Sequence, residues 1–237
     1  MDKQIMWTYS LILLISWLPV FLASFYRKFN YKTIYRPLFI AITVTAFCFV
    51  IWDIIFTAQG VWGFSSEYLI GSKIVNLPLE EVLFFLVIPY CCFFTYYLLR
   101  KSKLINEARA QFFKIILLLF LFPTFFTAIF ATHSYTATVC GINILLFSFA
   151  IWKQTPRFKV LLVSYFFNLI PFTIVNHFLT TGISTISKNP IVWYNSSQFS
   201  GLRFFNIPFE DFLYMWAMLM LVHLILEWQI MRKKLRI

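Results

Sequence analysis

The sequence predicts an all-α membrane protein of seven transmembrane helices, arranged as two parallel three-helix repeats joined by a linker helix. Three observations carry this. The 237 residues are 61% hydrophobic and 12% charged, with a mean hydropathy of +0.79, whereas soluble domains run near half apolar and a quarter charged. Seven apolar stretches, at 5–24, 37–57, 77–99, 112–131, 134–152, 158–180 and 207–228, approach the roughly 20 residues that cross a hydrocarbon core. One motif is written twice, as "GSKIVNLPLEEVLFF" at Gly71–Phe85 and "GLRFFNIPFEDFLYM" at Gly201–Met215.

Each stretch has its own reason to be a helix. None shows the alternation of a β-barrel, and helices satisfy their own backbone hydrogen bonds in lipid. The first run has no small-residue cleavage site behind it, so it reads as a span and not as a cleaved signal. The second holds Asp53 in "FVIWDIIFTAQGVWGF", and the third opens with the first motif copy. The fourth is the linker. The sixth, ending "FTIVNHFLTTG", offers Asn176 and His177 where the second offers Asp53, and the seventh opens with the second motif copy. The units are therefore 1–104 (spans 1–3), 105–132 (span 4) and 133–237 (spans 5–7). Pro19, Pro89, Pro123 and Pro171 fall within spans and predict kinks. The cysteines, Cys48, Cys91, Cys92 and Cys140, all sit in apolar runs and read as small core residues.

Charge gives an orientation. With seven spans, sixteen of the twenty Lys and Arg residues fall in the loops of one side, and Lys3, Lys73, Lys188 and Arg203 on the other. The positive-inside rule then places the N-terminus outside and the C-terminus in the cytoplasm. The net charge of +11 is read as this topology signal; the basic loops are short and hold no nucleic-acid module, so no nucleic-acid partner is expected.

The motif has readable physics. Asn76 or Asn206 can cap a helix, and Pro78 or Pro208 suits a first turn. Glu80 and Glu81, and Glu210 and Asp211, then sit where the helix dipole favours negative charge. Acids at a helix start are common on that ground alone. Yet only nine acids exist in the chain, four of them are these, and neighbours on a helix point about 100° apart. One of each pair must turn inward, and an ionisable group facing a bundle interior marks function by default. Spans three and seven run the same way, so both pairs lie toward one face, opposite the basic loops.

Asp53 could pair with a base, cap a backbone or join that site. His133, His177 and His223 lack ligand spacing, so no metal is expected. Glu227 is expected to meet the basic tail beginning at Arg232. Among the abundant aromatics, Trp62, Tyr90, Trp193, Tyr194 and Tyr214 are candidates to face an interior cation. No GxGxxG, P-loop or DDxxD-type pair occurs, and span 7 carries no lysine for a retinal Schiff base. A dinucleotide fold, a magnesium-dependent prenyltransferase and a retinal receptor are thereby disfavoured, and no cofactor is expected.

With "PLEE" at Pro78–Glu81, "PFED" at Pro208–Asp211, "WDIIFTAQGVWGF" at Trp52–Phe64 and "VWYNSS" at Val192–Ser197, the chain resembles the integral-membrane, flavin-independent lycopene cyclases. These occur as two small subunits in some bacteria and as fused domains elsewhere; this sequence looks like the fused form without a phytoene synthase domain. The resemblance implies conversion of lycopene to β-carotene by way of γ-carotene. A proton adds at C2, the C5=C6 bond attacks the C1 cation, and a proton leaves C6, with no net redox change. It implies Glu80, Glu81, Glu210 and Asp211 as acids and bases. Asp53, Trp62, Asn76, Tyr90, Trp193, Tyr194, Asn206 and Tyr214 would line the substrate. The partners implied are a lipophilic carotenoid, the lipid bilayer (a bacterial cytoplasmic membrane) and other carotenoid-pathway enzymes. The competing readings are a cyclase or hydratase of a longer or modified carotenoid, a proton-coupled seven-helix transporter, and a structural membrane subunit.

Reporter fusions after Arg100 and Ile237 should report cytoplasm, and fusions in the 58–76 and 181–206 loops the outside. The reverse pattern would invert the orientation.

Overall fold

The computed structural model describes residues 5–102, 105, 109–182 and 189–232, the side chains of 5 and 109–117 excepted. Lys3, Lys103, Lys188, Lys233, Lys234 and Arg236, and the side chains of Arg109 and Lys114, lie outside the described residues. Seven α-helices follow one another: α1 (Thr8–Ser24), α2 (Tyr35–Ala58), α3 (Leu79–Lys101), α4 (Arg109–Phe130), α5 (Ser134–Trp152), α6 (Phe158–Thr181) and α7 (Phe209–Arg232). Of these, α2, α3, α5, α6 and α7 are long and apolar enough to cross a membrane. At 17 residues, α1 rises only about 26 Å against a core of about 30 Å. α4 runs for 22 residues. Seven α-helices were expected and seven are found among the described residues, with α1 shorter than the expected span.

The bundle has two inner helices. α3 packs against α1, α2 and α6, and α7 against α5, α2 and α6. Met215 to Met220 of α7 are buried at every position, so all faces of that helix are covered. Outward-facing Leu14, Ile15, Phe47, Leu145, Phe167 and Ile170 leave a wide apolar surface, suited to lipid and costly in water.

The sequence pattern gave no sign of strands, yet six short ones form on one side: β1 (Trp62–Phe64), β2 (Lys73–Ile74), β3 (Leu77–Pro78), β4 (Val192–Tyr194), β5 (Arg203–Phe204) and β6 (Ile207–Pro208). Within each motif copy the strands make a hairpin, pairing Lys73 with Pro78 and Arg203 with Pro208. The two-residue loops use positive φ, at Val75 (60°) in one and at Phe205 (49°) and Asn206 (66°) in the other, as tight hairpins require. β1 and β4 join the α2–α3 and α6–α7 loops in an antiparallel pair, Trp62 opposite Tyr194 and Gly63 opposite Trp193.

These hairpins change the role expected of the asparagines. α3 and α7 begin two residues later than expected, because Leu77–Pro78 and Ile207–Pro208 are extended, and Pro78 precedes the first turn of α3 without a side-chain cap. Asn76 Nδ2 instead donates to the Ile54 carbonyl (2.9 Å) and Asn206 Nδ2 to the Thr180 carbonyl (2.8 Å). Each ties a hairpin to the closing turn of α2 or α6, where carbonyls run short of helical donors.

At the opposite end of the bundle Glu227 is fully buried; the tail beyond Arg232, expected to meet it, lies outside the described residues. It pairs with Arg157, accepts from Tyr96 Oη at 2.8 Å and has Arg100 at 4.0 Å, while Arg232 lies over the Trp228 ring. A buried carboxylate takes the partners nearest its own depth, and Arg157, just ahead of α6, supplies the charge that desolvation demands.

A Cβ on Gly63 would overlap the Trp193 ring. Gly63→Ala is therefore expected to destabilise the protein by about 1–3 kcal/mol, read as thermal unfolding in detergent, and Trp193→Ala should relieve that loss in the double variant.

Candidate active site

Each motif copy splits its two acids. Glu80 Oε1 accepts the backbone N–H of Ile70 at 2.8 Å and the Ser10 hydroxyl at 3.4 Å. Glu210 Oε1 accepts the N–H of Ser200 at 2.8 Å and the Thr136 hydroxyl at 2.6 Å. Ile70 and Ser200 precede Gly71 (φ 95°) and Gly201 (φ 80°), where the chain turns through a left-handed conformation that glycine adopts at least cost. Both glutamates are fully buried and grip the loop that leads into their own hairpin.

The next residue points about 100° away, and there Glu81 and Asp211 reach a common cavity. It holds about 60 Å³, and Asp53, Trp62, Tyr194 and Tyr214 also line it, with no basic residue in the lining. Tyr9 Oη donates to Glu81 Oε2 at 2.6 Å. Tyr135 Oη donates to Asp211 Oδ1 at 2.7 Å, and Tyr194 Oη to Asp211 Oδ2 at 2.8 Å. Asp53 Oδ2 and the Tyr214 hydroxyl are buried and meet no partner among the described residues. Unsatisfied polar atoms in such a place are costly and call for a ligand or water.

The two walls are unequal. The outer loops read Trp62-Gly63 and Trp193-Tyr194. Gly63 leaves a space that the Trp193 ring covers, whereas Tyr194 extends into the cavity. α2 contributes Asp53 where α6 contributes Asn176. One wall thus offers two carboxyls, Asp53 and Glu81, with one phenol; the other offers one carboxylate held by two phenols. Burial, with Asp211 alongside, pushes the Tyr194 phenol well up, so it stays a donor. Phe64, Phe84, Phe172, Leu179, Val192, Met215 and Met218 complete the lining, and further rings pack on its aromatic residues: Trp52 and Tyr214 lie 4.6 Å apart, Phe49 and Tyr214 5.0 Å, Trp62 and Tyr135 4.9 Å between ring centroids.

Of the candidates, the cavity brings together Asp53, Trp62, Glu81, Tyr194, Asp211 and Tyr214. The others lie elsewhere. Glu80 and Glu210 hold loops, and Asn76 and Asn206 hold helix ends. Tyr90 sits farther along α3, its hydroxyl 3.3 Å from that of Tyr35. Trp193 lies outside, 42% exposed. His177 and His223 meet the backbone carbonyls of Phe205 and Pro156, and His133 meets Thr132. The sequence reading passed over Tyr9 and Tyr135. The signal was present: Thr8-Tyr9-Ser10 and Ser134-Tyr135-Thr136 open α1 and α5 with the same order of hydroxyl, phenol, hydroxyl.

Comparison with known proteins bears on the family. A family model described as lycopene cyclase matches residues 6–99 and 132–229. A bifunctional lycopene cyclase/phytoene synthase of Pyrenophora tritici-repentis (strain Pt-1C-BFP) is 30% identical over 82 residues, 35% of this chain and 14% of that protein, so the shared region is a small part of the relative's length. No solved structure matches. With most of its length inside the family match, the chain belongs to the lycopene cyclase family.

Proposed function

We propose that the chain converts the acyclic ends of lycopene into β-ionone rings, giving β-carotene by way of γ-carotene. The observation that carries this is the meeting of three carboxyl groups, Asp53, Glu81 and Asp211, in one buried aromatic cavity whose lining has no basic residue. Two carboxyls on one wall without a cation cannot both ionise cheaply. Asp53 and Glu81 therefore share a proton, and that wall donates it to C2. The C5=C6 bond then attacks the C1 cation. Asp211, accepting from two phenols, is the charged partner across the cavity; it faces the cation and takes the proton that leaves C6. One proton enters and one leaves, so the reaction is an isomerisation.

The aromatic faces complement a carbocation, and a cavity that excludes bulk water protects it from capture. The proton transfers are assigned to Glu81, Asp53 and Asp211, with Glu80 and Glu210 kept for the loops they hold.

The test is expression in lycopene-accumulating cells with pigments identified by chromatography. Glu81→Gln and Asp211→Asn should each lower ring formation about a hundredfold or more, the usual scale for a lost acid or base. Glu80→Gln keeps a carbonyl to accept the Ile70 N–H and should stay within about tenfold of the parent, since one hydrogen bond is exchanged for another. Equal losses in Glu80→Gln and Glu81→Gln at matched expression would return the chemistry to the first acid of the motif.

A further inference from the structure

The carboxyl cavity is too small for the ring it is proposed to form, and it has a neighbour. Between α1, α3 and α6 lies a second, apolar cavity of about 160 Å³, whose walls include Val20, Ile88, Cys91, Thr95, Val175 and Phe172. Phe172 also lines the carboxyl cavity, so the two cavities share this residue. The ring is buried and packs edge-on to Phe212 of α7 at 5.6 Å. Val20, Cys91, Thr95 and Val175 are half-buried and Pro171 is exposed, which opens this cavity at the flank of the bundle.

A second observation concerns the walls. Each of the three helices carries an interior proline next to a lining residue: Pro19 before Val20, Pro89 after Ile88, and Pro171 before Phe172. Every one removes a helical hydrogen bond and weakens its helix at that level. A larger groove of about 680 Å³ lies between α2, α5 and α7, but it shares no lining residue with the carboxyl cavity, and no interior proline occurs in its three helices. Size favours the second groove; continuity with the acids and compliant walls favour the first.

Resting on the proposed cyclisation, we infer that the α1–α3–α6 cavity is the lateral entrance and binding groove for the polyene chain of the substrate, with Phe172 as the gate its end passes to reach the acids. The polyene is long and apolar, only its end reacts, and a groove open to lipid lets that end leave the bilayer without crossing water. The weakened helices allow the walls to part as the ring forms.

Two native thiols give the test on the unaltered chain. Cys91 lines this groove, whereas Cys48 is exposed on α2. In vesicles, alkylation of both by N-ethylmaleimide is followed by mass spectrometry with and without lycopene, and pigment products are scored separately in the same samples. At a lycopene load about ten times its dissociation constant, Cys91 labelling should slow about tenfold, following the bound fraction, with Cys48 unchanged. Val175→Trp, which fills the groove, should cut kcat/KM for lycopene by about tenfold or more, whereas Leu146→Trp in the α2–α5–α7 groove should leave it unchanged. Unchanged Cys91 labelling alongside normal cyclisation would overturn the entrance while leaving the cyclase reading intact. So would a loss confined to Leu146→Trp. Protection of Cys91 without any cyclised product would overturn the cyclase reading and keep the groove.

Discussion

A buried carboxylate bonded to the backbone N–H ten residues before it sets the geometry of this protein. This hydrogen bond closes the loop from Ile70 to Glu80 or from Ser200 to Glu210, which begins its turn at Gly71 or Gly201. Closing that loop positions the hairpin, and the hairpin carries Asn76 or Asn206 to the end of α2 or α6. Ile54, whose carbonyl Asn76 holds, is next in sequence to Asp53. The same chain of contacts therefore brings Asp53 toward Glu81, one residue beyond the clamp. The cost is visible as well: Glu80 Oε2 and Glu210 Oε2 are buried with no partner among the described residues. A motif with adjacent acids thus uses one to build and turns the other toward the cavity.

In the proposed mechanism the chemistry depends on how the walls depart from one another. Two carboxyls beside one phenol would supply the proton, and one carboxyl beside two phenols would take it back. A donor and an acceptor are distinguished by the neighbours of three otherwise similar groups, the general way in which sites run acid and base chemistry side by side. The substitutions responsible are few. Gly63 against Tyr194 and Asp53 against Asn176 account for most of the difference.

Composition and the doubled motif made the helical membrane class, the helix count and the meeting of the two motif copies at one cavity legible. Which acid of each pair faces that cavity was not. A sequence shows that adjacent residues point apart but not which direction is inward, and that depends on where the loop before the helix is fastened. The hairpins were hidden because two-residue strands have no periodicity, and Val75 and Phe205 are poor advertisements for a turn that needs positive φ. Glu227 misled for a related reason: nearness in sequence suggested Arg232, while the bundle brought Arg157 from 70 residues away. Tyr9 and Tyr135 could have been found by extending the comparison of the two halves back to their first helices.

The pairing of β1 with β4 sets two stretches that each contain Val-Trp side by side and antiparallel, the form of contact that like subunits make about a dyad. Gly63 makes it a contact between unlikes. A second copy of the first half in place of the other would carry glycine where Tyr194 donates to the carboxyl of its own half. A second copy of the last half would put a tyrosine where the Trp193 ring needs bare backbone. The one glycine on this strand pair therefore selects its partner by excluding the alternatives, as specific interfaces do through a built-in clash. The halves would recognise each other, and refuse themselves, even as two separate polypeptides.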